Sequence, residues 1–251
     1  SFVPQAQVLA LNYLFPTERV PEVLDWMIKN GDFFPLLDQA FRKNGLVPMS
    51  IMYEGWQWVT SKKPIKKPSD MDGLKVRLMS SKLLVEDYQA YGASPTPMDY
   101  GEVYSGLQMG LIDAQVNPLF AIYSMKFYEV QDYFTQLKSE PFLGIPTANL
   151  DFFESLPEEV QNEMLSFWQD SIIPAGNWID ERNASDMAKI KKAKPEAVFH
   201  VIDDAAVEKF EKKAETVYPK FEQIGGEGAE QILDALLKDI EDAKKALGIE
   251  M

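Results

Sequence analysis

Apolar and polar side chains alternate with a period of two over residues 74–79, and this pattern predicts a short β-strand. The aliphatic residues share one face of the strand, and Arg77 lies on the other. The serines at 80–81 then predict the N-cap of a helix that ends near Gly92, because serine hydroxyls accept the free amide hydrogens of a first turn and glycine ends helices readily. Together the two segments predict a βα unit.

The same order of elements continues after this first unit. Residues 94–97 contain two prolines and must be extended. Asp99 and Glu102 have the spacing of a capping box, and they predict a second helix that ends near Gly110. Residues 111–116 predict the next strand.

Asn117 and Pro118 predict the N-cap and first residue of a third helix, which we expect to run to about residue 133. This alternation of strands and helices predicts a largely parallel sheet. Ligands bind such sheets outside the carboxyl ends of the strands, where helix N-termini favour anions. Arg77 and Asn117 both fall near strand ends, so both are candidate ligand contacts.

The carboxyl-terminal part of the chain is predominantly helical. Residues 157–192 predict an unusually long helix that Pro174 must kink or break. A long bent helix between two lobes and a simple helix pair both fit this pattern. Residues 205–249 predict two amphipathic helices separated by the glycine-rich residues 225–228.

Two tryptophans alternate with a glutamine over residues 56–58. On a strand, Trp56 and Trp58 would share one face and Gln57 would lie on the other. Aromatic rings with this period belong to a core more often than to a pocket. Gly55 permits a close backbone approach, which favours a crossing between two lobes at this point.

Composition narrows the possible functions. The 251 residues are 46% apolar and include no cysteine, which excludes thiol catalysis, thiolate metal sites and disulfides. A formal net charge of −14 argues against a nucleic-acid partner, because no basic surface is available to neutralise phosphates. The lone His200 follows a short apolar run and is interpreted as structural, so no metal site is expected. No apolar run is long enough for a membrane-spanning helix.

Arg77 is open to more than one interpretation on these grounds. From the strand alone, a structural salt bridge is the simpler one, since a guanidinium pairs readily with any carboxylate. The candidate carboxylates are Glu54, Glu86, Glu102 and Asp113. An acid/base pair among them would suggest an enzyme, but no histidine, metal cluster or nucleophile motif accompanies them, so an enzyme is not favoured.

An ordered set of motifs resembles one family closely. The chain is similar to the extracytoplasmic solute-binding subunits of TRAP (tripartite ATP-independent periplasmic) transporters, the DctP-type family. The segments that carry this resemblance lie at residues 68–77, 92–98, 102–104, 107–108, 113–118 and 126–131, with weaker similarity that includes residues 156–161.

The resemblance implies an α/β fold of two lobes that close over a ligand, with a long bent helix spanning both. It implies that Arg77 forms a salt bridge with the ligand carboxylate, that Asn117 is a second contact and that Tyr100 lines the pocket. A small organic anion and the membrane permease subunits of a TRAP transporter are the implied partners. No cofactor is expected, and the protein is expected to be a periplasmic monomer.

Two departures from the family pattern bear on the ligand. Gln57 stands where many acid-binding members carry a second arginine, and Val116 replaces an acidic residue that often precedes the asparagine. With Trp56 and Tyr100 nearby, these departures favour a monocarboxylate such as a 2-oxo acid or an aryl or indolyl acid. A sugar acid and a C4-dicarboxylate are the alternatives, and an ABC-type solute receptor or an enzyme on the same scaffold is less favoured.

The resemblance also divides the chain into lobes. Residues 1–54 with 143–182 are expected to form lobe I, and residues 55–142 with 183–251 to form lobe II. Family members begin with further βα units that have no counterpart here, so we expect lobe I to lack its amino-terminal portion and the export signal that would precede it.

Overall fold

The fold is mixed α/β, as a computed structural model of the chain describes it for residues 2–249. The helices are α1 (Val20–Asn30), α2 (Phe33–Arg42), α3 (Lys82–Ala90), α4 (Val103–Gln108), α5 (Leu119–Ser124), α6 (Leu150–Glu154), α7 (Glu158–Asp170), α8 (Ile172–Ala193), α9 (Asp204–Ala214), α10 (Phe221–Gly225) and α11 (Ala229–Leu247). The strands are β1 (Leu46–Pro48), β2 (Met52–Trp56), β3 (Trp58–Ser61), β4 (Lys75–Leu78), β5 (Ser94–Pro97), β6 (Ala114–Asn117), β7 (Tyr133–Gln136), β8 (Pro141–Gly144), β9 (Thr147–Asn149) and β10 (Val198–Val201).

Six strands form the main sheet in the order β10-β7-β3-β6-β4-β5. Neighbouring strands are parallel except where β3 is involved, since β3 runs antiparallel to both β6 and β7. The expected largely parallel sheet is therefore correct for five strands. β3 is the exception because it enters the sheet directly from β2 through one residue, without a helical crossover.

Both faces of this sheet are buried. Val59, Val76 and Val116 project from one face into a cluster that includes residues of α3 and α9. Trp58 and Phe134 project from the other face into a cluster formed with α4, α5 and the end of α8. Helices on both faces are the usual arrangement for a mainly parallel sheet.

A second layer of structure is built on two antiparallel strand pairs, β1 with β9 and β2 with β8. Helices α1, α2 and α11 pack around this region and form the largest hydrophobic cluster. The predicted lobe boundaries, residues 1–54 with 143–182 and residues 55–142 with 183–251, stay a prediction.

The long helical run divides into α7 and α8 at Ser171. Pro174 lies in the first turn of α8, where its missing amide hydrogen costs no intrahelical bond, so the break falls just before it. Helix α8 begins with Ile172 in the largest cluster, and Ile190, in its last turn, packs beneath the main sheet. The predicted long, interrupted helix is confirmed, and it links the two layers.

The first predicted βα unit is also confirmed. β4 covers the centre of the predicted strand, and the Ser81 hydroxyl accepts a hydrogen bond from the Leu84 amide at the start of α3. Tyr91 ends the helix and Gly92 follows with φ of +99°, a backbone conformation that glycine adopts without strain.

The third predicted helix is wrong in its limits. Asn117 is the last residue of β6, where it pairs with Trp58, so Pro118 takes the N-cap position. Helix α5 ends at Ser124 because Lys126 adopts a left-handed conformation, and β7 occupies the chain from Tyr133. Sheet pairing therefore displaced the helix start by one residue, and the turn at Lys126 ended the helix early.

Other local predictions need smaller corrections. The side chains of Asp99 and Glu102 make no capping hydrogen bond to a helix amide, so the predicted capping box is absent. The reason is that a 3₁₀ turn at Tyr100–Glu102 precedes α4. β6 begins at Ala114, later than predicted, since the chain first turns through Gly110 with φ of +70°.

In the tail, the first of the two expected helices is divided into α9, a 3₁₀ turn at Tyr218–Lys220 and α10. Proline at position 219 accounts for the interruption.

Trp56 and Trp58 do not share a face of one strand. Gly55 has φ of +105°, and the pairing of β2 with β8 is irregular between Tyr53 and Trp56, so the backbone changes direction before β3 begins. Trp56 packs against the largest cluster, whereas Trp58 meets Phe199 edge-on at 5.8 Å beneath the main sheet. Each ring therefore belongs to a different core.

Candidate ligand-binding site

One edge of the main sheet gathers most of the predicted site residues. The parallel strands β4, β5 and β6 end at this edge, and the antiparallel β3 begins there. Arg77 and Asn117 lie near the ends of β4 and β6, Tyr100 follows β5, and Gln57 precedes β3. The carboxyl ends of parallel strands are where such sheets bind ligands.

Arg77 is buried without a charged partner. It is 3% exposed, its Nε donates to the carbonyl oxygen of Met98 at 2.9 Å, and its Nη1 has no hydrogen-bond acceptor among residues 2–249. Burial lowers the pKa of Arg77, while Tyr100 and Asp99 act in the opposite direction. A guanidinium stays charged in proteins, so this group needs an anion to compensate its lost hydration.

The structural salt bridge considered for Arg77 is absent from the described part of the chain. No carboxylate of residues 2–249 lies within 4.0 Å of its guanidinium. Glu86 pairs with Lys220 at 2.6 Å, and Asp113 accepts the Lys75 amide at 3.0 Å. Two of the candidate carboxylates thus have partners elsewhere, and the guanidinium remains available.

Tyr100 lies beside Arg77. The Cζ atom of Arg77 is 5.8 Å from the centroid of the Tyr100 ring, within the range of a cation–π contact. The Tyr100 ring meets Phe127 edge-on at 6.0 Å and is 39% exposed. Burial raises the pKa of Tyr100, so the phenol stays neutral. The pair combines a buried cation with an accessible aromatic face.

Asn117 ends a row of polar side chains on the face of the sheet that carries Arg77. Its Nδ2 donates to Gln115 Oε1 at 2.5 Å, and Gln115 Nε2 donates to Thr60 Oγ1 at 3.0 Å. Gln115 is in register with Arg77 on β4 and with Thr60 on β3, so their side chains share a face. Sequence reasoning missed Gln115 and Thr60, although the i, i+2 spacing of Gln115 and Asn117 was a signal.

Gln57 lies in the single-residue crossing from β2 to β3. It is 5% exposed, and its backbone amide donates to the carbonyl oxygen of Glu140 at 3.2 Å. Its side-chain Oε1 has no donor within the described residues. Gln57, Met79 and Glu140 help to line a cavity of about 330 Å³. Glu140 was not predicted; burial raises its pKa to about 8, and its Oε1 lacks a donor in residues 2–249.

Trp56 stands apart from these residues. It pairs with Pro141 of β8 in the second layer, one residue before Gln57. No ring–ring or cation–π contact within residues 2–249 joins it to Arg77 or Tyr100. The structure thus brings Arg77, Tyr100, Asn117 and Gln57 to one edge and places Trp56 across the crossing from them.

A metal site needs several ligating side chains close together. Within residues 2–249, no group of three or more histidine, aspartate or glutamate side chains is placed to hold a metal ion. His200 lies on β10, paired in register with Thr135 of β7.

The helices of the described range include none that is both long and apolar enough to cross a bilayer.

Comparisons with known proteins decide the family. Residues 1–224 match the family described as bacterial extracellular solute-binding protein, family 7, the DctP family. The chain belongs to this family of TRAP transporter solute-binding proteins.

Three relatives show the range of the similarity. The ectoine/5-hydroxyectoine-binding periplasmic protein UehA of Ruegeria pomeroyi is 34% identical over 244 residues, 96% of this chain and 70% of that protein. The 2,3-diketo-L-gulonate-binding periplasmic protein YiaO of Escherichia coli is 34% identical over 205 residues, 80% of this chain and 59% of that protein. The structure of the ectoine-binding protein TeaA of Halomonas elongata aligns with a TM-score of 0.88 and 34% identity, covering 96% of this chain and 79% of that one.

These comparisons confirm the predicted two-lobe fold class and the predicted transport family. The relatives are named as binding proteins of the periplasm. They are named for different solutes, ectoine and 5-hydroxyectoine on one side and 2,3-diketo-L-gulonate on the other, so family membership by itself leaves the ligand of this chain open.

Proposed function

We propose that this protein is a periplasmic, non-enzymatic carrier that binds one carboxylate group on Arg77 and delivers the ligand to a TRAP permease. The observation that carries the proposal is the buried Arg77 guanidinium without a carboxylate partner in residues 2–249. A planar carboxylate is its natural counter-ion, because both groups can form two parallel hydrogen bonds. We expect the carrier to act as a monomer.

The ligand class follows from the groups around Arg77. Gln57 is neutral, so it supplies no second fixed charge for a second carboxylate, and Tyr100 offers an exposed aromatic face. A monocarboxylate with an apolar or aromatic body, such as a 2-oxo acid or an aryl or indolyl acid, fits these groups. Asn117 and Gln57 are the proposed polar contacts, and Trp56 is the proposed contact from the other side of the crossing.

A zwitterion is the second candidate. Ectoine joins one carboxylate to a cationic ring, and UehA and TeaA, two relatives at 34% identity over nearly the whole chain, are named for it. The Tyr100 ring next to Arg77 supports this candidate, because an aromatic face attracts a cation. Uronates and C4-dicarboxylates remain alternatives.

The test is a thermal-shift screen with pyruvate, phenylacetate, indole-3-acetate, D-glucuronate, succinate and ectoine, followed by calorimetry on any acid that binds. Ligand binding raises the melting temperature by mass action. Arg77→Ala should weaken binding by at least about thirty-fold, which corresponds to about 2 kcal/mol. Arg42→Ala, which removes an arginine paired with Asp38 outside the candidate site, is the matched control. Equal affinity of Arg77→Ala and the unmodified protein would contradict the proposal.

A further inference from the structure

Asn183 of α8 makes hydrogen bonds to two segments that are distant in the chain. Its Nδ2 donates to the carbonyl oxygen of Glu54 at 3.3 Å, and its Oδ1 accepts from the amide of Phe120 at 2.8 Å. Glu54 lies on β2, and Phe120 lies in the first turn of α5. One amide side chain therefore uses its donor and its acceptor on different elements.

The bond to α5 compensates for a missing local cap. The first amides of a helix have no intrahelical acceptor, and a side chain at the N-cap usually supplies one. Pro118 holds the N-cap position of α5 and makes no side-chain capping bond. Asn183 supplies the acceptor from another helix, so it fixes the start of α5 and the Asn117 that immediately precedes Pro118.

The bond to β2 depends on a close approach to Gly55. A Cβ atom built on Gly55 would lie 2.2 Å from Asn183 Nδ2, far inside van der Waals contact. Gly55 also has φ of +105°, which side-chain-bearing residues rarely adopt. The glycine therefore lets α8 approach the end of β2 and the crossing residue Gln57 that follows it.

We propose that Asn183 is a positioning residue that holds Asn117 and Gln57 in a fixed relation by bonding to the start of α5 and to the end of β2. The proposal rests on the proposed function, because that function makes Asn117 and Gln57 ligand contacts. Binding groups must be held within fractions of an ångström to bind a ligand tightly, and supporting hydrogen bonds provide that precision.

Amide hydrogen exchange resolved by NMR tests the coupling without any ligand. Asn183→Ala should speed exchange of the Phe120 amide by about ten-fold, the loss expected for one hydrogen bond. Asn183→Asp keeps the acceptor but removes the donor, so it should preserve the protection of the Phe120 backbone amide. It should speed exchange of the Gln57 backbone amide, because the bond of that amide to the Glu140 carbonyl oxygen depends on how the end of β2 is held. The matched control is Asn177→Ala, on an exposed position of the same helix.

A double-mutant cycle separates positioning from simple helix capping. Gly55→Ala should speed exchange at Phe120 when Asn183 is present and add nothing in the Asn183→Ala background. An unchanged Phe120 amide in Asn183→Ala, or a Gly55→Ala effect that does not depend on Asn183, overturns the proposal.

Calorimetry with the same acids, from pyruvate to ectoine, supplies the binding readout. Asn183→Ala should lose about ten-fold in affinity for the acid that the unmodified protein binds, with a melting temperature close to that of Asn177→Ala. Unchanged affinity for that acid also overturns the proposal. If the unmodified protein binds none of these acids, the proposed function fails, while the exchange experiment still decides the role of Asn183.

Discussion

Two buried regions of this molecule contain ionisable groups without partners, and they differ in how those groups can respond. At the sheet edge, Arg77 has an Nη1 with no acceptor in residues 2–249, beside the exposed ring of Tyr100. Away from Arg77, Asp87 of α3 has no donor for either carboxyl oxygen, and Glu140, which lines the cavity beside Gln57, has none for its Oε1, within the described residues. Both regions violate the rule that buried polar groups are hydrogen-bonded.

The acids can remove their own charge, whereas the arginine cannot. Burial raises the pKa of Glu140 to about 8, and it raises that of Asp87 well above the usual range, with Glu140 adding to the effect. Protonation makes both groups neutral, so no counter-ion is needed there. A guanidinium keeps its charge, so only an anion from outside can compensate Arg77.

This contrast explains why an unpaired group at one place indicates function and at the other indicates stability. Tyr100, beside Arg77, is 39% exposed, so the edge that carries Arg77 borders solvent. Asp87 is fully buried next to the core tyrosines Tyr88 and Tyr91. An unpaired buried charge therefore indicates a ligand only where the charge is permanent and the site is open.

The largest expected effect concerns the acids and pH. Glu140 has an ordinary pKa of 4.5 when unfolded and about 8 when folded, so the folded protein binds the extra proton between these values. The free energy of unfolding should therefore fall as the pH rises from about 4.5 to 8 and level off above that. Between pH 4.5 and pH 8, ionisation of Glu140 should lower the free energy of unfolding by on the order of 5 kcal/mol. Asp87, whose pKa is also raised, should lower it further.

Urea denaturation between pH 4.5 and 9 checks this expectation. Glu140→Gln should flatten the decline substantially, while Glu159→Gln, at an exposed position of α7, should leave it unchanged. If the free energy of unfolding fell equally with pH in Glu140→Gln and in the unmodified protein, the pH dependence would not come from Glu140.

A smaller effect is expected on the stability of the ligand-free protein when Arg77 is replaced by an uncharged side chain. Arg77→Met keeps much of the side-chain volume and removes an uncompensated buried cation. It should raise the free energy of unfolding by about 1–2 kcal/mol, since apolar replacement of buried charges is often stabilising. Urea denaturation without ligand measures this change. A loss of stability greater than about 1 kcal/mol would mean that Arg77 mainly supports the fold.

The smallest effect concerns the aromatic face beside the arginine. Tyr100→Leu should weaken binding of the preferred acid by about two- to five-fold, or about 0.5–1 kcal/mol, the loss expected for one aromatic contact with the ligand. Tyr100→Phe should change affinity less, because the hydroxyl makes only a long bond of 3.4 Å to the Ala121 carbonyl oxygen. Calorimetry separates the two variants, and an equal loss in both would assign the effect to the hydroxyl.

The success of the local predictions depended on how far apart the interacting residues lie. β4 and its Ser81-capped helix follow from side chains within a few residues of one another, and both are confirmed. The start of α5 was misplaced because Asn117 pairs with Trp58, nearly sixty residues earlier, and stays in the sheet. The fold class rested on the motif resemblance, which the family comparison confirms.

By itself, the sequence determined the first βα unit, the interruption of the long helix near Pro174 and, through the family resemblance, the candidate residues Arg77, Asn117, Tyr100 and Gln57. Alternation, capping and proline geometry act locally, so they can be read along the chain. Only the tertiary structure decided that Arg77 has no carboxylate partner within residues 2–249, that Glu140 is buried beside Gln57, and that Asn183 joins β2 to α5. Burial and hydrogen-bond partners depend on elements that meet only after folding, and no local pattern specifies them.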